Sequence, residues 1–134
     1  MARFLDTKVI LRYLTRDDEG EAQAALRLLL RAERGEERLA TSHIVIFEAF
    51  YTLGRCYGVG RERIRELLLP IIGLRGLKLP GKRLLQQALD LYCDKGISFA
   101  DAYNAALMLA QGQKEIYSHD ADLARIEGIT RLEP

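Results

Sequence analysis

The sequence predicts an α/β fold in which a parallel sheet is covered by helices on both faces. Short apolar runs of three or four residues alternate with helical stretches of about ten residues or more. That alternation is the pattern of strands buried on both faces and joined by helical crossovers. The length, 134 residues, suits one such domain over 1–134 and leaves no room for a second.

Arg3-Phe4-Leu5 reads as a buried strand ending at Asp6, and Thr7 to Arg16 switches to helical spacing with Val9, Ile10, Tyr13 and Leu14 on one face. Asp17 to Gly20 is a break before an Ala/Leu-rich helix from Glu21 to Arg34. Arg38 to Thr41 is a second strand, and Thr41 or Ser42 caps a helix from Ile44 to Tyr57 that stops at Gly58. Arg61 to Leu69 is helical until Pro70 disturbs it, with Gly73 or Gly76 as its end. Leu77 to Leu79 is a third strand, and Arg83 to Lys95 a helix closed by Gly96. Ser98, with Asp101 three residues later, opens a helix to about Gln111. Glu115 to Ser118 and Ile129 to Leu132 are the last strands, with one or two helical turns between them at Ala121 to Ile126.

Composition narrows the function classes. The 49% hydrophobic fraction and a formal charge of +1, from 20 Lys+Arg against 19 Asp+Glu, exclude a disordered chain. They also give no global pull toward nucleic acid, so any such binding must come from local charge. Asp6 interrupts the apolar run that a signal peptide would need, and no stretch is long enough to span a bilayer. Cys56 and Cys93 lack zinc-ligand spacing and read as small buried hydrophobes in a reducing, cytoplasmic protein.

The acids stand out by position. Asp6 ends the first strand, and Asp120 and Asp122 follow the fourth. In open α/β sheets, ligands collect outside the carboxyl ends of the strands. Asp101 lies in a helix first turn, where the dipole favours an anion. Glu48 lies in Ile44 to Tyr51, a stretch otherwise apolar all round. A buried carboxylate there needs a donor, a cation or a metal. Singly, each acid has an ordinary structural use, as helix decoration, turn former or partnered core acid. Gathered at one edge, each pair at ~5 Å and an effective dielectric of ~20 would cost about 3 kcal/mol. Protons or a hard divalent cation relieve that cost. Mg²⁺ or Mn²⁺ suits such oxygen ligands, and can activate water and clamp a phosphate.

With these residues the chain resembles PIN-domain proteins, and more narrowly VapC-type toxin ribonucleases. The resemblance runs over essentially the whole chain. It rests on Phe4 to Leu14, on Ile46-Phe47-Glu48-Ala49-Phe50-Tyr51, on Ser98 to Ala106, and on Tyr117 to Leu123 with the Gly128-Ile129 turn and Leu132-Glu133-Pro134. It implies a three-layer α/β/α sandwich around a central parallel sheet. It implies metal-dependent hydrolysis of RNA, with Asp6, Glu48, Asp101 and Asp120 as catalytic acids. Asp6, Asp101 and Asp120 would hold Mg²⁺ or Mn²⁺, and Glu48 would complete the shell or orient the attacking water. In-line attack would leave a 5′-phosphate and a 3′-hydroxyl. Asp122 matches an additional acid of many members. Thr7 and Ser118 could fix the carboxylates, or could cap local backbone instead. A cognate antitoxin, a homodimer, and tRNA or rRNA as substrate belong to the same expectation.

Lys8 stands where many relatives have Asn, and His119 where Phe is common. Lys8 could be a built-in counter-ion, a phosphate ligand or a solvated side chain; His119 could touch RNA. Arg12 and Arg16 lie one turn apart after Asp6, and Arg55, Arg61, Arg63 and Arg65 surround the Gly58-Val59-Gly60 loop. Tyr13, Tyr51, Tyr57 and Tyr103 could stack on unpaired bases. A haloacid-dehalogenase-type phosphatase would need Asp at position 8, and a receiver domain an acidic pair near the N-terminus. The remaining alternative is a catalytically weak PIN-like module that binds RNA or an antitoxin.

Overall fold

β1 (Arg3–Phe4) pairs in parallel with β2 (Leu39–Ala40), and β2 in parallel with β3 (Leu77–Lys78), giving the sheet order β1-β2-β3. The register sets Arg3 opposite Leu39 and Leu39 opposite Leu77. Pairing runs one residue past each strand, because Leu5 N donates to Ala40 O at 2.7 Å and Thr41 N to Lys78 O at 3.1 Å. The buried Thr41 hydroxyl donates to Leu5 O at 2.8 Å, tying the first two strands together where Asp6 leaves the sheet. This computed structural model describes residues 1–134, which divide into a unit of residues 1–80 and one of residues 81–134.

In the first unit, helix pairs form the crossovers that parallel strands require. α1 (Thr7–Thr15) and α2 (Glu19–Glu33) join β1 to β2; α3 (His43–Tyr57) and α4 (Arg61–Ile72) join β2 to β3. Side chains start two of them. Asp18 accepts from Glu21 N at 2.9 Å, and Ser42 accepts from Val45 N at 3.2 Å. Gly58 ends α3 in the left-handed conformation, at φ 64°. The core includes Leu5, Ile10, Leu29, Ile46, Leu53, Ile64, Leu68 and Ile72, all nearly inaccessible to solvent. Each such side chain contributes about 1.5–3 kcal/mol of burial.

The second unit contains α5 (Lys82–Lys95), α6 (Phe99–Ala110), β4 (Glu115–Tyr117), a 3₁₀ helix (Ala121–Arg125) and β5 (Thr130–Leu132). α5 packs on α6, and Tyr92 meets Phe99 edge to face with ring centroids 6.1 Å apart. β4 and β5 pair in parallel, Ile116 opposite Arg131. Both hydrogen-bonded sheets are therefore parallel, as the alternation of elements implies.

Several expectations need correction. Phe4 is 64% exposed, because successive strand side chains alternate and the neighbouring Leu5 takes the core side. On α1 the buried residues are Thr7, Ile10 and Leu11, while Val9, Tyr13 and Leu14 are only half-buried. α2 begins at Glu19, two residues early, because Asp18 caps it. α4 ends at Ile72 with Gly73 as its C-cap, as expected; Pro70 lies in its last turn, where the missing N–H removes one bond. Cys56 is exposed. No helix is long and apolar enough to cross a membrane.

Candidate active site

In the first unit, Asp6 follows β1 and occupies the N-cap position of α1, with extended backbone at φ −85° and ψ 156°. Its carboxylate makes no capping hydrogen bond, unlike that of Asp18. Asp6 is exposed, so its oxygens stand at the strand's carboxyl end without being spent on the helix. Thr7, the first residue of α1, is buried. Lys8 is exposed and lines a hollow of ≈ 310 Å³ with Arg12 and Glu21. Arg12 is bound to Glu21, Nε to Oε2 at 2.6 Å, and that bond holds the guanidinium above its usual range. Arg16 is bound to Glu19 at 2.6 Å in the same way.

Glu48 departs from expectation. It is exposed on α3, not buried. The helix turns Val45, Ile46, Ala49, Phe50 and Leu53 into the core, and Glu48 falls on the opposite side with the exposed Ile44 and Tyr51. Its carboxylate therefore carries no burial penalty and needs no core partner.

In the second unit, two predicted acids meet. The carboxyl groups of Asp101 and Asp120 stand close enough for each to shift the titration of the other. Ser98 Oγ accepts from Asp101 N at 3.1 Å, which fixes Asp101 in the first turn of α6. Ser118 Oγ accepts from Asp120 N at 2.9 Å, and Asp120 Oδ1 accepts from Asp122 N at 2.9 Å. Thus Ser118 acts on Asp120 through the backbone and not on its carboxylate. Asp122 itself is bound to Arg125 at 2.7 Å. His119 is an exposed side chain with Nδ1 3.9 Å from Glu133 Oε2.

The two acids of the pair titrate in opposite directions. Burial pushes the Asp101 carboxyl up, and the neighbouring Asp120 and the charge of Asp122 add to it. The Asp122 backbone N–H pulls Asp120 down, helped by Asp101 and by Arg125 and Arg131. Of the two, Asp101 is thus the one that binds its proton more tightly.

Arg131 is a residue that no spacing in the sequence singles out. From β5, its Nη1 donates to Ser118 O at 2.8 Å and to Glu133 Oε1 at 2.8 Å. It clamps the turn that carries Asp120. A larger hollow of ≈ 550 Å³, lined by Arg83, Leu84, Gln87, Leu91 and Leu109 among others, holds none of the predicted acids.

The donor chemistry fits a hard divalent cation. Two carboxyls this close offer oxygen ligands to one ion, whose charge would offset their repulsion. Within either unit no group of three or more His, Cys, Asp or Glu side chains gathers, so the pair alone is an incomplete ligand set.

Comparison with known proteins gives the family. The PIN domain profile matches residues 3–129. No curated protein matches the chain. Among solved structures, it is similar to Mycobacterium tuberculosis VapC20, titled a Sarcin-Ricin loop cleaving toxin, with 22% identity, a TM-score of 0.40, and coverage of 99% of this chain and 100% of that one. The profile runs from β1 to the Gly128-Ile129 turn before β5, over the resemblance segments up to that turn, and the elements beneath it are parallel strands joined by helices. The chain belongs to the PIN-domain family and has its α/β/α fold class.

Proposed function

We propose that this protein, as a single PIN domain over residues 1–134, is a divalent-metal-dependent endoribonuclease and the toxin of a type II toxin–antitoxin pair. Support comes from membership in a nuclease family, and the observation that carries the reading is the close approach of the Asp101 and Asp120 carboxyls. Two carboxyls held side by side are poor structural glue, because they repel once ionised. They are good ligands for a cation.

The assigned roles are as follows. Asp6, Asp101 and Asp120 hold Mg²⁺ or Mn²⁺, and Glu48 orients the attacking water. When bound, the ion lowers the pKa of water and neutralises charge on the scissile phosphate. Ser98 and Ser118 keep the two acids in place by accepting their backbone N–H groups. Asp122 supports Asp120 through its own N–H. Thr7, buried behind Asp6, fixes the start of α1. Lys8 and His119, both exposed, are available to RNA phosphate, whereas Arg12 must first leave Glu21. The same reading carries a cytoplasmic location, a cognate antitoxin and a homodimer.

The test is cleavage of labelled tRNA and rRNA by antitoxin-free protein, with Mn²⁺ or Mg²⁺, with EDTA, and with Asp101→Asn. Cleavage that requires the ion and disappears in the variant supports the reading. Cleavage that persists in EDTA or in Asp101→Asn overturns the metal mechanism, and a folded protein that neither cuts RNA nor binds Mn²⁺ overturns the nuclease.

A further inference from the structure

A stripe of four exposed side chains runs along α3: Ile44, Glu48, Tyr51 and Arg55. Spacings of four, three and four residues keep all of them on one helix face. Ile44 is 79% exposed and Tyr51 53%. The Arg55 guanidinium carbon lies 5.7 Å from the centroid of the Tyr51 ring, within cation–π range. An acid thus stands one turn before the ring and a cation one turn after it.

We infer that Tyr51 and Arg55 form a landing site for one unpaired RNA nucleotide, its base stacked on the Tyr51 ring and its phosphate drawn to Arg55, one turn from Glu48. The inference rests on the nuclease reading above. Recognition of single-stranded RNA needs an accessible π-face and a nearby cation. Both are present here on a rigid helix, so little ordering is needed on binding. Arg12, Arg16, Arg63 and Arg65 are each bound to a carboxylate, whereas the contact Arg55 makes is with the ring. Its charge is therefore free to meet a phosphate. Bases already stacked in a duplex cannot use the ring, so the site selects loops and bulges. A cation beside the ring, with no carboxylate partner of its own, suits a phosphate better than the apolar face of a second copy.

The test is fluorescence anisotropy of a labelled single-stranded RNA in EDTA, so that nothing is cut, with a duplex of equal length as control. Tyr51→Ala should weaken single-strand binding about tenfold or more, with Tyr51→Phe close to wild type. Arg55→Ala should weaken binding and reduce the salt slope by about one. Duplex binding should not respond to Tyr51→Ala. Both positions are at the surface, and circular dichroism checks that the variants fold. Unchanged single-strand affinity in Tyr51→Ala overturns the inference. So does a change of oligomeric state in that variant by light scattering with RNA affinity intact, which would assign the stripe to a second copy. If wild type cuts RNA with Mn²⁺ but Tyr51→Ala binds it normally, only the landing site falls. If wild type neither cuts nor binds, the nuclease reading falls first.

Discussion

The carboxyl group of Asp101 stands close enough to that of Asp120 for the Asp101 pKa to be raised, and each acid is anchored by a serine that accepts its backbone N–H. α6 supplies one acid and the turn after β4 the other. The local turns that seem to explain each acid alone, a helix first turn and an Asx turn, are what aim the two at each other.

That pairing makes Asp101 a stability liability at neutral pH. Its folded-state pKa is raised by burial first, then by Asp120. A carboxyl that binds its proton more tightly in the folded chain loses stability as pH rises through the folded-state value. Asp101→Asn removes the ionisation and keeps an N–H donor for Asp120. In EDTA at pH 7 the variant should melt higher than wild type, by about 3 °C. The gap should close as pH falls below the ordinary carboxylate range, where wild-type Asp101 is protonated in both states. A variant that melts lower at pH 7 would show that the pair stabilises the fold.

Metal binding should carry the same signature in reverse. An ion competes with protons for the pair, and Asp101 binds its proton more tightly than an ordinary carboxyl, so metal binding weakens in acid. Thermal stabilisation by Mn²⁺ reaches about 2.7 kcal/mol at a concentration of 100 Kd. At fixed Mn²⁺, the rise in Tm should grow with pH through the range where Asp101 ionises, and should be largely lost in Asp101→Asn. A rise independent of pH would place the ion elsewhere.

Ser42 and Ser98 are legible as helix starts because capping is local chemistry, readable from a hydroxyl and the next three residues. Asp6, Asp101 and Asp120 are legible for a similar reason, since strand ends and helix first turns are written in short segments. Glu48 is not. With apolar residues on every side of Ile44 to Tyr51, periodicity does not say which face turns inward, and only packing decides that Val45, Ile46 and Ala49 do. The partnership of Asp101 with Asp120 and the reach of Arg131 to Ser118 O depend on how distant segments meet. Pro70 shows the limit of a strong local rule, because a proline in the final turn breaks little.

Arg131 should matter to metal binding without touching the ion. Its guanidinium ties Ser118 O to Glu133 Oε1, both at 2.8 Å, and so fixes the backbone from which Asp120 projects. Partners that orient ligands typically cost about 10–100-fold in metal affinity when removed. Arg131→Ala should weaken Mn²⁺ binding by about tenfold in a calorimetric titration. Arg131→Lys should recover only part of that, since one ammonium does not reproduce the planar fork. Glu133→Gln should have a smaller effect, because the bond to Ser118 O survives. Equal Mn²⁺ affinity in wild type and Arg131→Ala would mean that Ser118 and Asp122 hold the turn unaided.

The approach to β3 gives a stability prediction independent of the acids. A Cβ on Gly76 would lie 2.4 Å from Ala32 O and 2.5 Å from Glu37 O, and both are backbone atoms that cannot swing aside. Gly76 O also accepts from Leu39 N at 2.8 Å, so moving the glycine away would pull on the β2–β3 pairing. Gly76→Ala should therefore destabilise the protein by about 1–3 kcal/mol or more, read as a lower urea midpoint. Gly58 is the matched control. It has a positive φ of 64° but nothing within 4 Å of an added Cβ, so Gly58→Ala should cost only the left-handed backbone penalty of about 1–2 kcal/mol. The two variants separate a steric cause from a conformational one. Relief by a second change should be possible at neither Ala32 nor Glu37, because the atoms in the way belong to the main chain whatever side chain those positions carry.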